Sequence, residues 1–178
     1  MENPLVAIIM GSDSDISVME QAVRLVEEFD IPYEMKILSA HRTPDETAEY
    51  VKGLAGRGIK VLIAGAGWAA HLAGVCASQT AIPVIGVPID SSPLNGMDSL
   101  LSTVQMPPGV PVATMAIGKG GAYNAAIFAV RILSLLDPEL AGRYASFRKK
   151  MAEDVISKQE AESGKQGAGS REQGVERF

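Results

Sequence analysis

Cysteine is nearly absent from these 178 residues: the single Cys76 has no intrachain partner for a disulfide. A lone thiol fits a reducing compartment, and Cys76 is expected to fill a small place in the core. Aromatic residues are scarce at 5%, with one tryptophan, and there are only two histidines. Basic charge is short as well, since 16 Lys and Arg against 21 Asp and Glu leave a net charge of -5. With no basic cluster in the ordered part, this balance argues against nucleic acid or an anionic membrane as the main partner and favours a small ligand. No apolar run approaches about 18 residues without a polar break, so no membrane span is expected. The start Met1-Glu2-Asn3-Pro4 lacks the basic region of a signal peptide, which makes the cytoplasm the expected location.

What is present is apolar: 47% of the residues are hydrophobic, enough to bury one domain, expected over 1–162. Leu5 to Met10 is an almost wholly apolar run, the mark of an inner parallel strand. Further strands are expected at Tyr33–Leu38, Lys60–Ala64, Pro83–Pro88 and Pro111–Ile117. Between them lie helical patterns: Ile16, Met19, Val23, Val26 and Phe29 at helical spacing, then Pro44–Ala55, a stretch after His71, and Asp98 or Ser99 through Val104. This alternation predicts an α/β three-layer sandwich around a parallel sheet, flavodoxin-like or Rossmann-like, with a C-terminal helical arm. From Ala122 to Leu136 the helix is apolar around nearly its whole circumference, which predicts a subunit interface. After Pro138, an arm bearing Leu140, Tyr144, Phe147, Met151 and Val155 is expected to pack on a neighbouring copy. Residues 163–178 are Gly, Ser, Gln and mixed charge without periodicity, expected to form a disordered tail.

The chain is organised around Ser39-Ala40-His41-Arg42-Thr43-Pro44, which sets a histidine beside an arginine where a strand gives way to a helix. Thr43 is placed to cap, Pro44 suits the first helical position, and Glu46 completes a Thr-x-x-Glu capping box. His41 is thereby set at the C-terminal edge of the sheet, where ligands bind in open α/β folds and where a helix N-terminus favours an anion over imidazolium. The plainer reading is that His41 and Arg42 are ordinary solvated loop residues. In Gly11-Ser12-Asp13-Ser14-Asp15, Gly11 lets backbone approach a ligand while the Ser12 and Ser14 hydroxyls and helix amides hold a phosphate; the same residues also make ordinary turn and cap chemistry. A second glycine-rich loop, Gly65 to Gly74, brings in His71, either as a packed, hydrogen-bonded residue or as a wall of the pocket. Gly118-Lys119-Gly120-Gly121 is not a P-loop, because Lys119 is followed by glycine rather than Ser or Thr. Gly65-x-Gly67-x-x-Ala70, with Asp90 about 20 residues on, fits a dinucleotide fingerprint and an oxidoreductase. That reading leaves the other two loops unused, sits on the third strand, and lacks a separate substrate domain.

Taken together, Gly-Ser-x-Ser-Asp at 11–15, Ser-Ala-His-Arg-Thr-Pro at 39–44 and Ala-Gly-Ala-Gly-x-Ala-Ala-His-Leu at 64–72 resemble the class I 5-(carboxyamino)imidazole ribonucleotide mutases of purine biosynthesis. The likeness continues through Pro83-Val84-Ile85-Gly86-Val87-Pro88, Asp98 to Ser102, Val104-Gln105-Met106-Pro107 and Ala116-Ile117-Gly118, covering Val6 to Leu136. The resemblance implies a homo-octamer of flavodoxin-like subunits that moves a carboxylate from the exocyclic nitrogen of an aminoimidazole ribonucleotide to ring carbon 4, on the way to IMP. It implies no cofactor and no metal. It makes Ser12 and Arg42, with help from Ser39, the phosphate ligands, Asp15 the holder of the ribose hydroxyls, and His41 the proton shuttle. His71, with Gly67, Ala70 and Leu72, then walls the imidazole and carboxylate. Histidine's ordinary pKa of about 6.5 suits one imidazole giving and taking a proton near neutrality. Trp68 stands where the family commonly has glycine and Ala73 where it commonly has proline, which leaves loop rigidity, pocket volume and substrate preference open. The alternatives are a carboxylase using free carbon dioxide on the same or a related nucleotide heterocycle, and a non-catalytic ribonucleotide-binding subunit.

Overall fold

The apolar run near the N-terminus becomes the inner strand Val6–Met10 (β1), buried at every position in the computed structural model, which describes the backbone of residues 3–172 and the side chains of residues 3–159. It lies between Tyr33–Ile37 (β2) and Val61–Gly67 (β3), followed outward by Val84–Ile89 (β4) and the two-residue Ala113–Thr114 (β5). All pairings are parallel in the order β2-β1-β3-β4-β5, with Val6 opposite both Tyr33 and Val61, and Leu62 opposite Val84. This is the flavodoxin-like order, and its direction reverses between β1 and β3, which opens a crevice at the C-terminal strand ends.

Alternate residues of β1 feed two cores. Val6, Ile8 and Met10 join Ile63, Ile85 and the helices Ile16–Glu28 (α1) and Lys119–Leu133 (α5). Ala7 and Ile9 join Leu62, Ala64 and the side of Pro44–Lys52 (α2) and Leu72–Ala77 (α3). A further helix, Met97–Val104 (α4), follows β4. Cys76 is fully buried in the second core, and burial pushes its thiol up to about 12, so it remains a protonated packing residue.

Several boundaries move. β3 runs on through Gly65, Ala66 and Gly67, which pair with Val87, Pro88 and Ile89. Gly65 and Gly67 are therefore strand residues and not the turn a dinucleotide fingerprint requires, which removes that reading. β5 shrinks from the expected Pro111–Ile117 to two residues, since Pro111 at its start and Pro88 near the end of β4 have no N–H to donate to a ladder. α5 begins at Lys119 and ends at Leu133, leaving Leu135 and Leu136 outside it at 81% and 90% exposed.

The apolar girth of α5 is covered largely within the chain. Pro138–Glu172 (α6) sets Leu140 into the core and lays Tyr144 and Phe147 against it, with the Phe147 and Phe29 rings edge to face at 5.3 Å. The first turns of the arm thus pack on their own chain, while among the described side chains of the arm the large apolar Met151, Val155 and Ile156, further along, stand exposed. The helical trace continues past Glu162 to Glu172, into the stretch expected to be a disordered tail, and 173–178 lie outside the described residues.

Candidate functional site

The loops after β1, β2 and β3 meet at the switch point. Gly11 N–H donates to the Gly65 carbonyl at 3.2 Å, tying the first loop to the third strand, and a 3-10 turn at Asp13–Asp15 leads into α1. Ser12 heads that turn: its hydroxyl donates to Asp13 Oδ1 at 3.0 Å and accepts from Ser14 N–H at 3.4 Å. Asp15 occupies the cap position of α1 without making a side-chain cap, and its carboxylate is instead 3% exposed behind Gly11. Burial raises its pKa above 3.8, while hydrogen bonds from Ser12 and Ser14 and the charge of Arg42 pull it back.

In the second loop the expected capping box does not form. Thr43 makes no side-chain cap; its hydroxyl accepts from Ser39 N–H at 2.9 Å and donates to the Ser39 carbonyl at 3.1 Å, because that bond closes the sharp turn between β2 and α2. The turn sets Ser39 Oγ to accept from Arg42 N–H at 3.2 Å and Arg42 Nε at 3.4 Å, while Arg42 Nη2 donates to the Gly11 carbonyl. Ser39 and Gly11 therefore aim the guanidinium between the first two loops. Such a fixed planar fork is suited to an oxyanion.

His41 follows from the same turn. Its Nε2 lies 2.9 Å from His71 Nδ1, with the rings edge to face and 5.0 Å apart. His71 is thus not a packed core histidine: it is exposed at the start of α3 and engaged with His41. One imidazole of the pair donates and the other accepts, so the two share a proton path. Among the described residues no group of three His, Cys, Asp or Glu side chains is placed to hold a metal ion.

A cavity of about 400 Å³ collects these groups: Ser12, Asp15, Ser39, His41, Arg42, Gly67, His71 and Leu72 all line it. A second depression of about 410 Å³ shares Gly11, Ser12, Ser39 and Arg42, so the serines and arginine stand between two open spaces. Ala70 is placed elsewhere. It is 2% exposed behind the wall, where its carbonyl accepts from Thr103 Oγ1 at 3.5 Å. Ser91, which sequence reasoning missed, completes the wall from the loop after β4; a Cβ on Gly67 would overlap its hydroxyl, so the glycine is what lets that loop come close. The only signal for it was a polar Asp-Ser-Ser following a buried strand.

Trp68 stands on the rim with its backbone left-handed at φ 53 and its side chain 60% exposed. For a bulky L-residue that backbone costs roughly 1–2 kcal/mol, which glycine would not incur.

The chain matches the family model described as AIR carboxylase over residues 5–154. It is 57% identical over 157 residues to the N5-carboxyaminoimidazole ribonucleotide mutase of Pyrococcus horikoshii, covering 88% of each chain. To the N5-carboxyaminoimidazole ribonucleotide mutase of Bacillus subtilis it is 56% identical over 153 residues, covering 86% of this chain and 94% of that one. The crystal structure of Treponema denticola PurE is similar with a TM-score of 0.81 at 31% identity, covering 89% of this chain and 98% of that chain.

Proposed function

The chain belongs to the AIR carboxylase family, and on that premise we propose that it is a mutase of purine biosynthesis using His41 as its proton carrier. The reaction moves the carboxylate of N5-carboxyaminoimidazole ribonucleotide to ring carbon 4, an isomerisation without net gain or loss of atoms. The observation that carries the His41 assignment is the 2.9 Å contact to His71 at the wall of a cavity that also holds Arg42 and Asp15.

Arg42, Ser12 and Ser39 take the phosphate, and Asp15 accepts from the ribose hydroxyls, so binding energy is gathered away from the reacting ring. The N–C bond of the carbamate then breaks, the exocyclic nitrogen takes a proton from His41, and carbon dioxide is left facing carbon 4. Carbon 4 supplies the electron pair of the new C–C bond, and its own proton returns to His41, closing the cycle. Confinement by the Gly67 to Leu72 wall makes recapture faster than escape. His71 holds the His41 ring in line through both transfers.

The family description favours one second reading, a carboxylase drawing free carbon dioxide from solution. An absorbance assay separates the two: carboxyaminoimidazole ribonucleotide alone is converted by a mutase, whereas a carboxylase needs aminoimidazole ribonucleotide plus bicarbonate. Assembly as a homo-octamer is part of the proposal, supported by the apolar side chains left exposed on α4 and after α5, with Met97, Leu101, Val104, Leu135 and Leu136 among them. Cytoplasmic location is proposed on the reduced Cys76 and the net charge; among the described residues no helix is long and apolar enough to cross a membrane.

A further inference from the structure

Trp68 carries two costs at once: a bulky residue held at φ 53, and a large aromatic left 60% exposed at the mouth of a cavity. Tryptophan is ordinarily among the well-covered residues, and a left-handed bulky residue persists only where its surroundings hold it there. Neither cost is repaid by core packing, since the indole belongs to neither hydrophobic core. Both are accounted for by a ligand that covers the indole.

The rest of the cavity narrows the kind of ligand surface. Ser12, Asp15, Ser39 and Arg42 offer hydrogen bonds and charge, and Ala66, Ala69 and Leu72 offer small apolar contacts. Flat π-faces come only from Trp68, His41 and His71 among the lining residues, and the two histidines are turned edge to face on each other at 87°. A planar heterocycle entering here finds one broad uncommitted face, the indole.

We propose that Trp68 is a specificity residue that stacks on the heterocycle of the bound ribonucleotide and shields its ring carbon from water, an inference that rests on the ribonucleotide reading above. Stacking requires an aromatic ring and ignores the sugar phosphate. It therefore separates two probes that share the Arg42 and Asp15 contacts: 5-aminoimidazole ribonucleotide in buffer free of carbon dioxide, and ribose 5-phosphate, which has no aromatic ring.

Because Trp68 is the sole tryptophan of the 178 residues, all tryptophan emission of the full chain reports on this position. Aminoimidazole ribonucleotide is expected to shift and quench that emission, and ribose 5-phosphate to leave it nearly unchanged while still binding by calorimetry. Replacing Trp68 by glycine, which accepts the left-handed backbone, is expected to weaken the ribonucleotide roughly tenfold and to leave ribose 5-phosphate affinity as it was; Trp68→Phe retains most of the ribonucleotide affinity. Equal emission changes with the two probes, or equal loss of both affinities in Trp68→Gly, overturn the stacking role. Failure of both probes to bind the unaltered chain overturns the ribonucleotide reading itself, and the stacking role with it.

Discussion

Asp15 sets binding against stability within one side chain. Its carboxyl is buried, and burial outweighs Ser12, Ser14 and Arg42 in holding its pKa above 3.8. A folded-state pKa above the unfolded one means that the folded chain holds more protons between the two values, so stability falls as pH rises from 3.8 through the raised value. At pH 7 the cost of the buried charge is fully present. Asp15→Asn is therefore expected to melt higher than the parent at pH 7, with the gap closing below pH 3.8, while binding the ribonucleotide more weakly. Thermal melts at the two pH values check this, and a variant that melts lower at pH 7 contradicts it. His41→Asn is expected to keep ribonucleotide binding by calorimetry and to lose about 100-fold to 10,000-fold in kcat, the usual loss on removing an acid–base group. Arg42→Ala is expected to raise KM with a smaller change in kcat, because the phosphate contact persists from ground state to transition state. That Ser12, Asp15, His41 and Arg42 lie together at the cavity was legible in the sequence because each follows closely on a strand whose C-terminal end faces the switch point. The His41–His71 contact and Ser91 were not, since they exist only once strand order brings together loops that lie far apart in the chain.

Among the elements, the buried strands were the most legible, because β1 and β4 are covered on both faces and read as unbroken apolar runs. Glycine misled at β3, where Gly65 and Gly67 resemble a loop and instead remain paired so that Met19 and Ser91 can approach the sheet. Thr43 misled in the opposite sense, for its hydroxyl is spent on closing the Ser39 turn, a demand of tertiary geometry that a capping pattern does not encode. Part of the apolar girth of α5 is covered by α1 and the first turns of α6, which leaves Tyr123 exposed and Ile127, Phe128 and Ile132 half-buried. The start of α5 is correspondingly tight: a Cβ on Gly121 would run into the Ala116 carbonyl, backbone that cannot rotate away. Gly121→Ala is expected to cost about 1–3 kcal/mol, lowering the melting temperature by roughly 2–12 °C. Calorimetric melts check it, and an unchanged melting temperature contradicts the packing described here.

At the scale of the whole molecule, the exposed apolar side chains of α4, of the Leu135-Leu136 turn and of Met151, Val155 and Ile156 on α6 are expected to make a lone chain an unfavourable end state. Light scattering at micromolar concentration is expected to give an eight-chain mass, and a monomer mass contradicts that assembly. Truncation after Glu162 is expected to leave mass and turnover unchanged. The central claim concerns where the migrating carboxylate travels within the cavity. The direct measurement is turnover of carboxyaminoimidazole ribonucleotide in buffer containing isotopically labelled bicarbonate, with the product carboxylate analysed over the first turnovers. A mutase that keeps carbon dioxide behind Gly67 to Leu72 until carbon 4 captures it gives product with little label, the carboxylate coming from the substrate. Extensive labelling in those turnovers means carbon dioxide passes through solution, and contradicts the account.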